Sequence, residues 1–359
     1  MLYPLIFDYV TKDYIWGGQR LCRYSRPLPE SQRLAESWEI STHPHGPSRV
    51  KNGPEAGKLL SELVREYGAE LLGTEANSSE FPFLIKLIDA ASNLSIQVHP
   101  DDEVAAQLDP PSLGKNELWY VLDAPENAKL ICGLRDPSKT KAELSQAIKD
   151  NQILDALAEL PVSKGDLINI PAGTIHAITE GLFIAEIQQN SDITYRLYDY
   201  DRVDADGNKR PLHIEAGLNA AKLGPDSKHI FPGLDAAAIG LDTPAGIIKR
   251  KLLLDNRYFH VESYQLDKSF KLAGDPKRFQ AFILLSGSLR LQNQDFNFIV
   301  EPMNSFLIPA NCPEFEVIST GDETPELLLA TLPIESERRA LRSALDAHPE
   351  FRDCLALEP

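Results

Sequence analysis

The chain has 359 residues, 43% of them hydrophobic, enough for a sizeable core in one or two domains. A formal charge of −17 with no Lys/Arg cluster to offset it excludes nucleic acid and anionic membrane surfaces as partners. No apolar run is long enough to span a bilayer and the start "MLYPLIFDYVTKDY" lacks the layout of a signal peptide, so a cytoplasmic location is expected.

Glycine (21) and proline (26) punctuate short runs rich in Val, Ile, Leu and Phe, the pattern of many short strands. The first helical segment is "GKLLSELVREYGAELLG", with Leu59, Leu60, Leu63, Val64, Tyr67, Leu71 and Leu72 at helical spacing. "FPFLIKLIDA" follows as a strand in which Lys86 interrupts apolar residues; a buried ammonium is costly, so Lys86 requires a partner or an anion. "LSIQVHPDD" reads as a strand that points Gln97 and His99 to one face, ends at Pro100, and leaves Asp101 and Asp102 to cap a helix "DEVAAQL". "GKNELWYVLDA" is a strand with Glu117 near its start and Lys115 two residues earlier. A helical insert is expected over about 138–160, with Ser138 as its N-cap. "LINIPAGTIHAI" brings His176 to a strand edge, and "FIAEIQQ" is another strand. "SDITYRLYDYDR" alternates so that Thr194, Arg196, Tyr198 and Tyr200 share a face. "ESERRALRSALDA" is a final helix.

Cys22, Cys132, Cys312 and Cys354 show no metal-ligand spacing and read as small buried or incidental residues, so a metal must use other ligands. His99, Glu117 and His176 supply two imidazoles and one carboxylate, a set that leaves coordination positions open as catalytic zinc sites do, with Gln97 offering a neutral oxygen. Fe(II) and Mn use the same set. His43 and His45 in "STHPHGPS" read as loop residues, and His213, His229, His260 and His348 as structural. On so acidic a chain, basic side chains gathered in one pocket suit a small anionic ligand; Lys115 is placed for proton transfer.

A faint internal repeat lays "KGDLINIPAGTIHAI" on "PMNSFLIPANCPEFE" and "ELWYVLDA" on "QAFILLSG". The second copy has Gln280 and Glu314 where the first has Glu117 and His176, so the first is the chemical copy. Mainly antiparallel β structure closed as sandwiches or jelly rolls is expected. Residues 1–245 form the metal-binding unit, 246–335 a degenerate metal-free unit, and 336–359 a C-terminal helix and tail.

"LSIQVHPDD", "GKNELWYVLDA", "IPAGTIHAI" and "QQNSDITYRLYDYDR", with the upstream "YIWGG" and "ESWEISTHPHGPS" and the downstream "LHIEAGL", closely resemble the short bacterial form of the type I mannose-6-phosphate isomerase family. The resemblance runs in order from about residue 3 to 218. It implies two cupin-type jelly-roll units, one Zn2+ held by Gln97, His99, Glu117 and His176, and reversible isomerisation of mannose 6-phosphate and fructose 6-phosphate through a cis-enediol. It further implies Arg196 and Lys115 as catalytic residues and Lys86 as a pocket lysine. Arg202 stands where longer members carry a lysine, and Asn116 and Leu118 stand where a Thr and a Cys are expected. Two other readings fit a cupin of this kind: an Fe(II) oxygenase, or a sugar-phosphate sensor without catalysis.

Overall fold

Alternating short apolar runs produce the mainly β architecture expected. The computed structural model describes residues 2–76, 78, 80–203, 206–224 and 229–357, with Ala356 described by its backbone alone. Among the described residues there are four sheets, of nine, seven, five and four strands. Among the described residues, no helix is long and apolar enough to cross a membrane. All four cysteines are free, and Cys132 and Cys312 are buried.

The chain forms two compact units, one from Thr11–Ser37 and Leu84–Ile230, the other from Met1–Val10, Trp38–Phe83 and Phe231–Pro359. In the first unit the five-stranded sheet carries the strands Tyr195–Tyr198, Ile96–Val98, His176–Ala177, Lys129–Leu134 and Leu157–Pro161 side by side. Period-two alternation gives this sheet two different faces. One presents Ile96, Val98, Ala177 and Leu197 to a core shared with Leu144 and Ile148 of the helix Lys141–Lys149 and with Leu218 of the helix Ile214–Ala220. The other sends Leu130 and Cys132 into a second core with Trp119, Val121, Ile168 and Ile184 of the seven-stranded sheet. That interior holds the polar residues described below.

The repeat is visible in the ladder register. Glu117 pairs with Ile170 at the start of its strand, and Gln280 pairs with Ile308 at the start of the corresponding one, each isoleucine directly preceding a Pro-Ala pair. In the second unit Glu314 points outward and pairs with Lys271 at 2.7 Å. Phe282, Phe306, Leu291 and Val317 fill its core.

Three helical details differ from expectation. Thr140, not Ser138, caps the insert helix, since Thr140 forms a capping box with Glu143 while the Ser138 hydroxyl donates to Asp136. The helix expected over 57–73 breaks into Leu60–Tyr67 and Ala69–Leu72, because Gly68 takes φ +49° between them. Asp101 caps the helix Asp102–Leu108 by accepting from Val104 N, whereas the Asp102 carboxylate turns to Gly114.

The second unit also contains a buried ion cluster. His260 Nδ1 lies 2.6 Å from Asp255 Oδ2 and Nε2 lies 2.7 Å from Glu262 Oε1, with Arg250 on Glu262 and Arg338 on Asp255. Burial alone would disfavour the imidazolium, but the two carboxylates push His260 up from 6.5 to about 9. A raised folded value means that this stabilisation is complete below pH 6.5 and is lost as pH rises through about 9. At 1.36 kcal/mol per unit, the loss amounts to ~3 kcal/mol. Guanidinium unfolding at neutral pH and at pH ~10 checks this: the stability gap between wild type and His260→Gln narrows by ~3 kcal/mol. An unchanged gap contradicts it.

Candidate metal centre and active site

Gln97 sits mid-strand and is the cross-strand partner of His176 on one side and of Arg196 on the other. Directly opposed residues share a face, so three separate motifs converge there. His99 follows one step beyond the strand, and its carbonyl accepts from Gly173 N at 2.8 Å. Gly173, at φ +95°, forms the turn that leads into His176. The "PAG" of that motif therefore latches the two histidine-bearing segments together. Glu117 arrives from the seven-stranded sheet as the first residue of Glu117–Asp123, paired with Ile170 and Gln188.

His99, Glu117 and His176 are each 1% exposed, and their ligand atoms lie within 4.8 Å of one another. His99 Nδ1 donates to Ile193 O at 2.7 Å and His176 Nδ1 to Thr174 O at 2.9 Å. These bonds fix the tautomer that leaves both Nε2 lone pairs facing inward. Burial pushes His176 down to about 3, and burial with the Lys115 charge lowers His99, so both imidazoles are neutral as ligands must be. Burial alone would raise Glu117; Lys115 beside it instead holds it well below the usual carboxylate range. Neither Glu117 oxygen accepts a well-formed hydrogen bond, although Lys115 Nζ stands 2.7 Å from Oε1 and 3.3 Å from His99 Nε2. A buried carboxylate short of donors, facing two imidazole lone pairs, fits a metal cation. Gln97 Nε2 lies 3.5 Å from His99 Nε2 and 3.4 Å from His176 Nε2, while Ser95 Oγ contacts its Oε1 at 3.3 Å. Turning the amide over puts the oxygen toward the imidazoles and an N–H at Ser95.

Lys115 lies just ahead of the strand, which begins only at Glu117. Lys86 has the partners its burial demands: Glu186 at 3.1 Å and Glu36 at 3.6 Å. Burial works against its ammonium, but those two carboxylates keep it charged. Glu186, pushed up to about 7 by burial and by Glu117, also accepts from Trp119 Nε1 at 2.9 Å. Trp119 and Glu186 are cross-strand partners, two residues along from the Glu117–Gln188 pair, so Glu186 shares the interior face of Glu117.

Arg196 donates to Pro211 O at 2.9 Å while its buried Nε has no hydrogen-bond partner. Burial and the nearby Arg210 both disfavour its positive charge, as expected where an anion is missing from the balance. Arg202 donates to Asn93 O and, with Arg210, shares the single carboxylate of Asp199, each arginine at 2.5 Å from Oδ1. A register shift between Arg196 and Tyr198 breaks the regular alternation read from the sequence over 194–200.

Sequence reading missed Glu186, Glu36, Asp199 and Arg210. Glu186 had a signal, since it interrupts the apolar run "FIAEIQQ" as Lys86 interrupts its own; the pairing of the two was not readable from either alone. Arg210 follows a loop whose length says nothing about where it returns.

Residues 5–129 match the family model described as phosphomannose isomerase type I, catalytic domain. The mannose-6-phosphate isomerase ManA of Bacillus subtilis is 34% identical over 314 residues, 88% of this chain and 95% of that protein. The mannose-6-phosphate isomerase of Streptococcus mutans is 40% identical over 273 residues, 76% of this chain and 82% of its own. A crystal structure of the Bacillus subtilis mannose 6-phosphate isomerase superposes with a TM-score of 0.82 at 34% identity, covering 92% of this chain and 99% of that one. By sequence over most of its length, and by a fold that superposes on a solved member, the chain belongs to the type I phosphomannose isomerase family.

Proposed function

We propose that the chain interconverts mannose 6-phosphate and fructose 6-phosphate, with one Zn2+ held by His99, Glu117, His176 and the amide oxygen of Gln97. The observation that carries this reading is the buried Glu117 carboxylate, short of donors, between two imidazoles whose outer nitrogens are already committed. Membership of the family supplies the sugar phosphate, which its named relatives isomerise. A donor set of two His and one Glu with an amide oxygen suits catalytic zinc. Bound there, zinc supplies Lewis acidity to adjacent sugar oxygens.

The protein's own groups then divide the remaining work. Shifting a hydrogen between C1 and C2 through a cis-enediol needs a proton carrier and a fixed positive charge beside the oxygen that becomes negative. Lys115 Nζ is the carrier nearest the ligands, and the Arg196 guanidinium is the fixed charge on the same sheet face. Glu186, with a value of about 7, is a second group able to hold or release a proton at neutral pH. The phosphate falls to Arg202 and Arg210, which with Arg196 place three cations around one Asp199 carboxylate. Lys86 lies on the substrate side too, its charge balanced by Glu186 and Glu36, so it contributes donors more than net charge. In this reading the second unit, with Gln280 and Glu314 in place of two ligands, is a metal-free copy.

Following mannose 6-phosphate and unphosphorylated mannose side by side tests the assignment. Turnover of the phosphorylated sugar alone is expected; equal turnover of both contradicts the phosphate anchor, and turnover of neither contradicts the reading.

A further inference from the structure

Asn116, flanked by Lys115 and Glu117, sits where the family resemblance leads one to expect a threonine. In a strand its side chain would point away from that of Glu117, so it has no direct part in the metal site. It is nevertheless tightly held. Asn116 Nδ2 and its backbone N both donate to Gln189 Oε1, at 2.7 and 3.0 Å. Its Oδ1 accepts from Ala172 N at 2.9 Å. Gln189 Nε2 in turn donates to Asp102 Oδ1 at 2.9 Å, which also accepts from Gly114 N at 3.0 Å. At Gly114 an added Cβ would come within 2.4 Å of Asp102 N, so the close approach depends on glycine.

These bonds join every segment that bears a metal ligand. Lys115 N donates to Pro100 O at 2.9 Å, tying the Glu117 segment to the residue after His99. Ala172 opens the turn into His176, and Gln189 N donates back to Asn116 O at 3.2 Å. One asparagine thus ties its amide to the end of one strand and to the turn that follows another, while both neighbours in sequence face the site. Gln189 is buried, 7% exposed, which keeps water from competing for these bonds.

We propose that the Asn116–Gln189–Asp102 amide chain is a positioning clamp that fixes the spacing of Glu117 against His99 and His176 and the reach of Lys115. The inference rests on the reading of His99, Glu117 and His176 as metal ligands. Partners one shell beyond metal ligands typically change affinity or activity by about 10–100-fold when removed.

The test compares wild type with Asn116→Ala, Asn116→Thr and Gln189→Leu, each loaded with Zn2+. Release of Zn2+ to excess EDTA is timed, and kcat and KM for mannose 6-phosphate are measured alongside. Asn116→Ala and Gln189→Leu are expected to release Zn2+ about tenfold faster or more and to lose a similar factor in kcat, with KM within about twofold. Asn116→Thr retains a single hydroxyl that can satisfy one of the two contacts, and its release rate falls between. If the folded variants release Zn2+ at the wild-type rate, the clamp is overturned. A wild type that binds no Zn2+ at all overturns the metal reading beneath it, which the clamp requires. Should Asn116→Ala not fold, Asn116→Thr and Gln189→Leu decide.

Discussion

Glu117→Gln yields a folded protein that no longer retains metal and has lost at least about 100-fold in kcat, because changes one shell further out already reach about 10–100-fold. The substitution keeps the shape of the side chain and removes its charge. In the proposed site Glu117 is the single anionic ligand between two neutral imidazoles, and it is 1% exposed, so no water replaces what it provides. The same change leaves the Lys115 ammonium, now 2.7 Å from Oε1, without its counter-charge. Metal content separates the two effects. Loss through the ligand leaves a protein that binds little Zn2+ and is not rescued by adding more, whereas loss through Lys115 alone leaves metal content intact. Full metal content in Glu117→Gln would contradict the ligand assignment.

Arg196→Ala behaves in the opposite way, with metal content unchanged and kcat lowered by about 10²–10³-fold, the range found when one preorganised donor to a developing negative charge is removed. Arg196 donates to Pro211 O and is the cross-strand partner of Gln97, so its position is set by the sheet, not by the metal. Its unpartnered Nε remains available to a substrate oxygen. Arg196→Lys restores little, since one ammonium does not reproduce the guanidinium fork. Metal analysis and steady-state kinetics on the same preparation check both halves. An unchanged kcat in Arg196→Ala would remove Arg196 from the chemistry.

The parts of this site that were legible in the sequence share one property, that their signal is local. Gln97 and His99 are two apart where one strand ends, Lys115 and Glu117 are two apart where another begins, and His176 follows a Pro-Ala-Gly turn. Alternation and turn chemistry suffice to put such residues on a face. The repeat was legible for the same reason, and its register recurs at Glu117–Ile170 and Gln280–Ile308. What could not be read depends on distant pairings. Lys86 plainly needed a partner, but nothing nearby names Glu186, a hundred residues later on the neighbouring strand of the same sheet. Asn116 and Gln189 meet across 73 positions, and the aspartate between Arg202 and Arg210 is shared only because a loop returns. Helix boundaries failed more modestly: Ser138 and Thr140 are both acceptable caps, and Glu143 three residues on selects the second. His260 looked merely structural, and its charge comes from two carboxylates, only one of which is near enough in sequence to suggest a same-face pair.

The central claim is that this chain moves a proton between adjacent sugar carbons at a metal site built by His99, Glu117 and His176. The most direct measurement follows mannose 6-phosphate by NMR in D2O, using protein stripped with chelator and then the same protein refilled with Zn2+. The account predicts no conversion by the stripped protein, and fructose 6-phosphate carrying deuterium at C1 once Zn2+ is restored. Conversion that survives complete metal removal would contradict it.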